Sequence, residues 1–231
     1  MKKKALIVVT SVEKYPEMDR ATGLWLGEAV HFYEKLSQKG YEIDFVSPRG
    51  GYTPLDPVSL QMFVQPVDWK YYADQSFREK LANTLEPKDI HAEDYEVIYY
   101  SGGHGVVWDF PDNKELQDIS RKIYENGGIV SSVCHGAVGL FNIRLSDGEL
   151  LIKGKTLTGF SNSEEVAAEL ADHMPYLTED VLKSKGANYV KADKDFISFA
   201  VADGRLVTGQ NPQSGGAVGE KVLEILEKQE K

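Results

Sequence analysis

The chain of 231 residues contains a single cysteine, Cys134. One thiol excludes an intrachain disulfide and fits a reducing compartment, so a cytoplasmic protein is expected. No apolar run approaches the roughly 20 residues of a membrane span. Met1-Lys2-Lys3-Lys4 followed by ALIVVT is too short for a signal peptide and lacks a small-residue cleavage site. Positive charge is scarce: 26 Lys and Arg stand against 36 Asp and Glu, a net charge of −10. A phosphate-binding surface needs clustered Lys and Arg, so neither nucleic acid nor an anionic membrane is an expected partner. No internal repeat or low-complexity tract occurs, and no histidine follows His173.

What is present reads as alternating strands and helices. ALIVVT (5–10) is an apolar, β-branched run of the kind that forms a strand covered on both faces. Residues 23–39 follow as a helix with Trp25, Ala29, Phe32 and Leu36 on one face and Gly40 as its stop. YEIDFVS is a second strand by alternation. From Pro48 to about Asp89 the pattern weakens into a small helical excursion, a cap or an interface insertion (48–90). Further strands are predicted at 95–100, 129–133 and 155–160, with helices after Asn113, from about His135, over SEEVAAEL and near TEDVLKSKG. FISFAVADGRLVTG reads as a hairpin turning at Asp203-Gly204, and a helix closes the chain over 214–228. This alternation implies βαβ crossovers and one α/β domain (1–231) with a mainly parallel sheet. Sites in such folds gather where strand C-termini feed loops.

Cys134 stands at such a place. IVSSV ends directly in Cys-His-Gly-Ala, with a helix expected at once, the pattern of a nucleophile elbow. A thiol at a helix N-terminus is expected to have a lowered pKa. The alternative is plain core filler, since free cysteine is commonly buried. SGGHG (101–105) ends another strand, and its glycines would let backbone N–H groups approach a ligand, unless they form only a turn. Glu28 lies on the flank of the first helix's apolar face, either a rim charge or a buried carboxyl whose pKa burial would raise. The pair Glu164-Glu165 either favours a helix first turn or supplies a carboxylate that fixes the tautomer of His135.

TGLWLGEA, YEIDFVSPRGG, YYSGGHGVVWDFPDN, GGIVSSVCHGAVGL, LTGFSNSEE and DGRLVTGQNPQS together resemble the ThiJ/PfpI (DJ-one) superfamily, in its glutathione-independent glyoxalase III branch. The resemblance implies a flavodoxin-like three-layer sandwich and a homodimer. It makes Cys134 the nucleophile, His135 the general acid/base, Glu28 the carboxyl touching the sulfur and Glu165, or Glu164 if the alignment slips, the acid orienting His135. Backbone N–H groups of Gly103 and His135 would form the oxyanion hole, with Gly102 and His104 at the substrate pocket. The implied reaction turns methylglyoxal, a small 2-oxoaldehyde, into lactate, as a D-lactate dehydratase does. It needs no cofactor, because oxidation and reduction occur within one substrate. The zinc site of some larger relatives cannot be placed here, as no His/Glu cluster has ligand spacing, so no metal is expected. Competing readings are a holding chaperone with an exposed apolar patch, a redox-sensing stress protein, and a cysteine-dependent protein deglycase or amidase at the same thiol.

Overall fold

The computed structural model describes residues 3–229. Its centre is a six-stranded sheet of β1 (Lys4–Val8), β2 (Glu42–Val46), β3 (Val97–Tyr100), β4 (Ile129–Val133), β7 (Ala200–Asp203) and β8 (Leu206–Gly209). The order is β2-β1-β3-β4-β8-β7, parallel except for the β7–β8 hairpin. Among the described residues two further strands, β5 (Thr156–Leu157) and β6 (Asn188–Tyr189), pair with each other outside this sheet. β1 is buried along Ala5–Val8, as a strand covered by helices on both faces must be.

One face carries α1 (Leu26–Ser37) and α9 (Gly215–Gln229), packed through Phe32, Leu36, Val218 and Val222. The other carries α5 (Val106–Asp109), α6 (Lys114–Glu125) and α8 (Thr178–Ser184). Between β2 and β3 lie α2 (Pro57–Met62), α3 (Pro66–Ala73) and α4 (Gln75–Ala82); after β5 comes α7 (Asn162–Ala167). The excursion is therefore helical and docks on α1 and β2. Phe77 meets Tyr33 and Phe45 edge-on, at 5.0 and 5.6 Å between centroids, and Asp68 pairs with His31 at 3.0 Å. No helix among the described residues is long and apolar enough to cross a membrane.

The sheet register positions the site. Val8 pairs with Tyr100 and Tyr100 with Ser132, so the chain leaves β1, β3 and β4 along one edge. In this strand order the connections diverge between β1 and β3, which opens a crevice at their C-terminal ends.

Three sequence expectations are corrected. The first helix begins at Leu26 rather than Gly23, because residues 23–25 are held extended by backbone bonds from Leu24 to Pro54 and from Trp25 to Gly102. The segment after β4 is a seven-residue 3-10 helix, Cys134–Leu140, rather than an α-helix. It packs so tightly on β3 that a Cβ at Gly136 would strike the Tyr100 carbonyl. Only Thr156–Leu157 of KTLTGF is strand, and it leaves the main sheet because the Thr158 and Phe160 N–H groups bond to Thr208 Oγ1 and the Cys134 carbonyl.

Candidate active site

Cys134 has φ +57°, one of three non-glycine residues in the left-handed region among those described. Such a conformation costs about 1–3 kcal/mol and persists only where its surroundings enforce it. Here β4 runs straight into the 3-10 turn and aims the thiol, 3% exposed, at the floor of a cavity of about 640 Å³.

His135 Nδ1 lies 3.4 Å from Cys134 Sγ, and its Nε2 lies 2.6 Å from Glu165 Oε2. Glu165 binds a second imidazole through its other oxygen, with His104 Nε2 2.8 Å from Oε1. A carboxylate can only accept, so both histidines present Nε2–H to it, and the Nδ1 lone pair of His135 is left facing the thiol. Burial opposes the Glu165 charge, but the two histidines outweigh it and hold this carboxyl well below the usual carboxylate range. Burial and the neighbouring His135 push His104 down, against the pull of Glu165.

Glu28, in the first turn of α1, is wholly buried rather than on the rim. Its Oε2 accepts the Gly102 N–H at 2.7 Å, and its carboxyl lies beside Cys134, both crowding the space next to Gly102. Burial raises its pKa to about 8, although the thiol and the Gly102 N–H favour the charged form. Tyr99 fixes the helix turn by donating its hydroxyl to the Glu28 carbonyl at 2.9 Å, its ring stacked on Phe32 at 3.8 Å.

The expected lowering of the thiol pKa is corrected. Burial first, and then the charge and hydrogen bond of Glu28, push Cys134 well above its ordinary value, while the His135 backbone N–H pulls the other way. A single short turn cannot offset removal from water and a neighbouring carboxylate. Gly102 is also displaced from its expected role: its N–H is taken by Glu28, and Gly103 and His104 line the cavity instead. At Gly103, φ is +101° and a Cβ would run into the Gly23 carbonyl, so no other residue fits this approach.

Helix capping separates the two acids. Ser161 and Glu164 form a capping box at the start of α7. Glu164 also accepts the Phe196 N–H and the Asn211 side-chain amide, each at 2.8 Å. It faces away from the histidines, and Glu165, one residue on, faces them. Sequence reasoning missed the cavity walls: Tyr15, Arg20, Trp25, Met62, Phe63, Phe160 and Phe196. Trp25 and Phe160 lie in quoted motifs, but as apolar residues they read there as core, and the others lie outside any such motif. Also unforeseen was a metal-like donor set. His104, His135 and Glu165 have ligand atoms within 4.8 Å of one another, the types that bind zinc in open catalytic sites. They come from three separate segments, so no local spacing reveals them. Their Nε2 and carboxylate atoms are already joined by hydrogen bonds.

A doubly covered, mostly parallel sheet with a cysteine in the left-handed region directly after β4 defines an α/β protein of the flavodoxin-like class. The chain belongs to the DJ-1/PfpI family, whose model matches residues 21–225. It is 35% identical to the glutathione-independent glyoxalase HSP31 of Saccharomyces cerevisiae, over 97% of this chain and 98% of that one. Among solved structures, Candida albicans glyoxalase III superposes with a TM-score of 0.89 at 34% identity, covering 96% of both chains. The Rapid Encystment Protein 24 KDa of Francisella tularensis superposes at 0.92, with 34% identity over 97% of this chain and 99% of that one.

Proposed function

We propose that this chain is a glutathione-independent glyoxalase that converts a 2-oxoaldehyde such as methylglyoxal into its 2-hydroxy acid. The observation that carries the reading is the unbroken line Cys134 Sγ, His135 Nδ1, His135 Nε2, Glu165 Oε2, which starts at the cavity, with the Glu28 carboxyl beside Cys134.

Because the resting thiol is held protonated, its activation is assisted rather than spontaneous. His135 Nδ1 takes the thiol proton as sulfur adds to the aldehyde carbon, and Glu165 stabilises the imidazolium. The protonated Glu28 carboxyl donates to the sulfur as its charge develops. The new alkoxide of the hemithioacetal is held by the backbone N–H groups of Gly103 and His135. A base then removes the hydrogen from the former aldehyde carbon, giving an enediol, and the proton is returned to the neighbouring carbon. His135 is placed for both transfers. The carbon bonded to sulfur has been oxidised and its neighbour reduced, so no external electron acceptor is needed. The product is a 2-hydroxyacyl thioester; water added across the C–S bond releases the acid and restores the thiol.

The test is turnover of methylglyoxal to lactate by purified protein without added thiol. Cys134→Ala and Cys134→Ser should both reduce the rate to background. Turnover that survives both substitutions would refute the assignment.

A further inference from the structure

The cavity is much larger than the reaction requires. Its roughly 640 Å³ falls in the range of about 300–1,000 Å³ used for ligands of drug size. A three-carbon aldehyde attached to Cys134 fills only a corner of it. Most of the rest is walled by large apolar side chains from separate parts of the chain, with Arg20, Asp56, Glu169 and Gln213 also on the lining. Trp25 and Phe63 stand on one side, with ring centroids 5.1 Å apart and planes tilted by 42°. Phe160 and Phe196 stand on the other, 6.3 Å apart, with Phe160 only 4.3 Å from the His135 ring. These separations are those of interacting aromatic pairs.

Two features show that the walls are more than leftover core. Met62 and Phe63 line the cavity yet remain 72% and 48% exposed, so their apolar surface is not satisfied within the fold. Phe196 is held at the mouth with φ +56°, a conformation that bulky residues rarely adopt, by the bond from its N–H to Glu164. The left-handed backbone and the capped acid together keep an aromatic ring at the opening.

We propose that the site is built for 2-oxoaldehydes bearing an aromatic substituent, with the aryl ring lodged between the Trp25–Phe63 and Phe160–Phe196 pairs. The proposal rests on Cys134 as the nucleophile. With the aldehyde carbon on Sγ, the keto carbon points its substituent away from the floor and into this space. The chemistry is otherwise unchanged: one water is consumed, the aldehyde carbon is oxidised, the keto carbon is reduced, and a 2-hydroxy-2-aryl acid leaves.

Initial rates of mandelate formation from phenylglyoxal, set beside lactate formation from methylglyoxal, test this directly. Wild-type kcat/KM should be about tenfold or more higher for phenylglyoxal, since even one methylene in an apolar pocket is worth about that factor. Phe63→Ala removes a half-exposed ring at the end of α2 and should lower the phenylglyoxal-to-methylglyoxal ratio about two- to tenfold, mainly through KM. In the wild type, mandelate should also protect Cys134 from alkylation at lower concentration than lactate does. A higher kcat/KM for methylglyoxal, or a ratio unmoved by Phe63→Ala, overturns the aryl site and leaves the glyoxalase assignment standing. Failure to turn over either aldehyde overturns both.

Discussion

Two buried acids side by side, the Cys134 thiol and the Glu28 carboxyl, cannot both be ionised without strong repulsion. Burial holds the proton on both, and the Glu28 charge adds to this for the thiol, whereas the thiol itself favours the charged form of Glu28. Replacing Glu28 by Gln removes the repelling charge but keeps a polar side chain of the same size. The alkylation rate of Cys134 against pH should therefore titrate at lower pH in Glu28→Gln than in wild type. An unmoved midpoint would mean that the carboxyl does not face the sulfur. In the proposed mechanism Glu165 acts one bond further out, as a positioning residue for His135. Glu165→Gln leaves an amide that can present its NH2 to His135, allowing the wrong tautomer. The expected loss in kcat is about 10²–10⁴-fold, and KM should change far less. An equal loss carried by KM would assign Glu165 to binding instead.

At the scale of elements, the site depends on the start of α7, where Ser161 caps the helix that carries Glu165. Ser161→Ala should cost about 1 kcal/mol of stability, read by denaturant melts, and should lower kcat because the Glu165 turn loosens. Full activity despite the stability loss would show that the two are uncoupled. The motif Ser161-x-x-Glu164 was legible in the sequence as a capping box, and reading it would have settled which glutamate faces His135. The strands were legible because β1 and β4 are short, β-branched and bounded by polar or glycine-rich segments. Cys134, Glu28 and the Gly-Gly-His-Gly loop were legible because each sits at a strand end or on the flank of an apolar face. The 3-10 turn after Cys134 was not: a Gly136 that must clear the Tyr100 carbonyl looks, as a sequence, like the first turn of an ordinary helix. The thiol's titration is illegible in the sequence for a related reason. A dipole can be inferred from an element boundary, whereas the depth of burial depends on segments far away in the chain.

For the molecule as a whole, the unusual carboxyls set how stability responds to pH. Burial raises Glu28 to about 8 and Asp109 to about 7, the latter despite the Ser11 N–H and Thr10 hydroxyl bonded to it. In the unfolded chain both ionise near pH 4. Between there and their folded values the native state binds more protons, so each group makes stability fall as pH rises, by up to about 1.4 kcal/mol per pH unit. Above pH 8 that decline ends. Glu165 works in the opposite direction: its depressed pKa contributes stability above the normal carboxylate range, which is lost on acidification. Denaturant melts from pH 5 to pH 8 should show wild type losing stability relative to Glu28→Gln. Parallel curves would mean that Glu28 is already ionised, or hydrated, in the folded protein.

Glu164 and Glu165 are neighbours, yet one fastens the Phe196 loop and the other grips the two imidazoles. Anyone retuning substrate preference thus meets two unequal walls. The Met62–Phe63 side hangs on its own short helix and can be varied freely. The Phe196 side shares a helical turn with the reactive floor, so altering that loop carries a toll in turnover even when the new shape suits the new substrate.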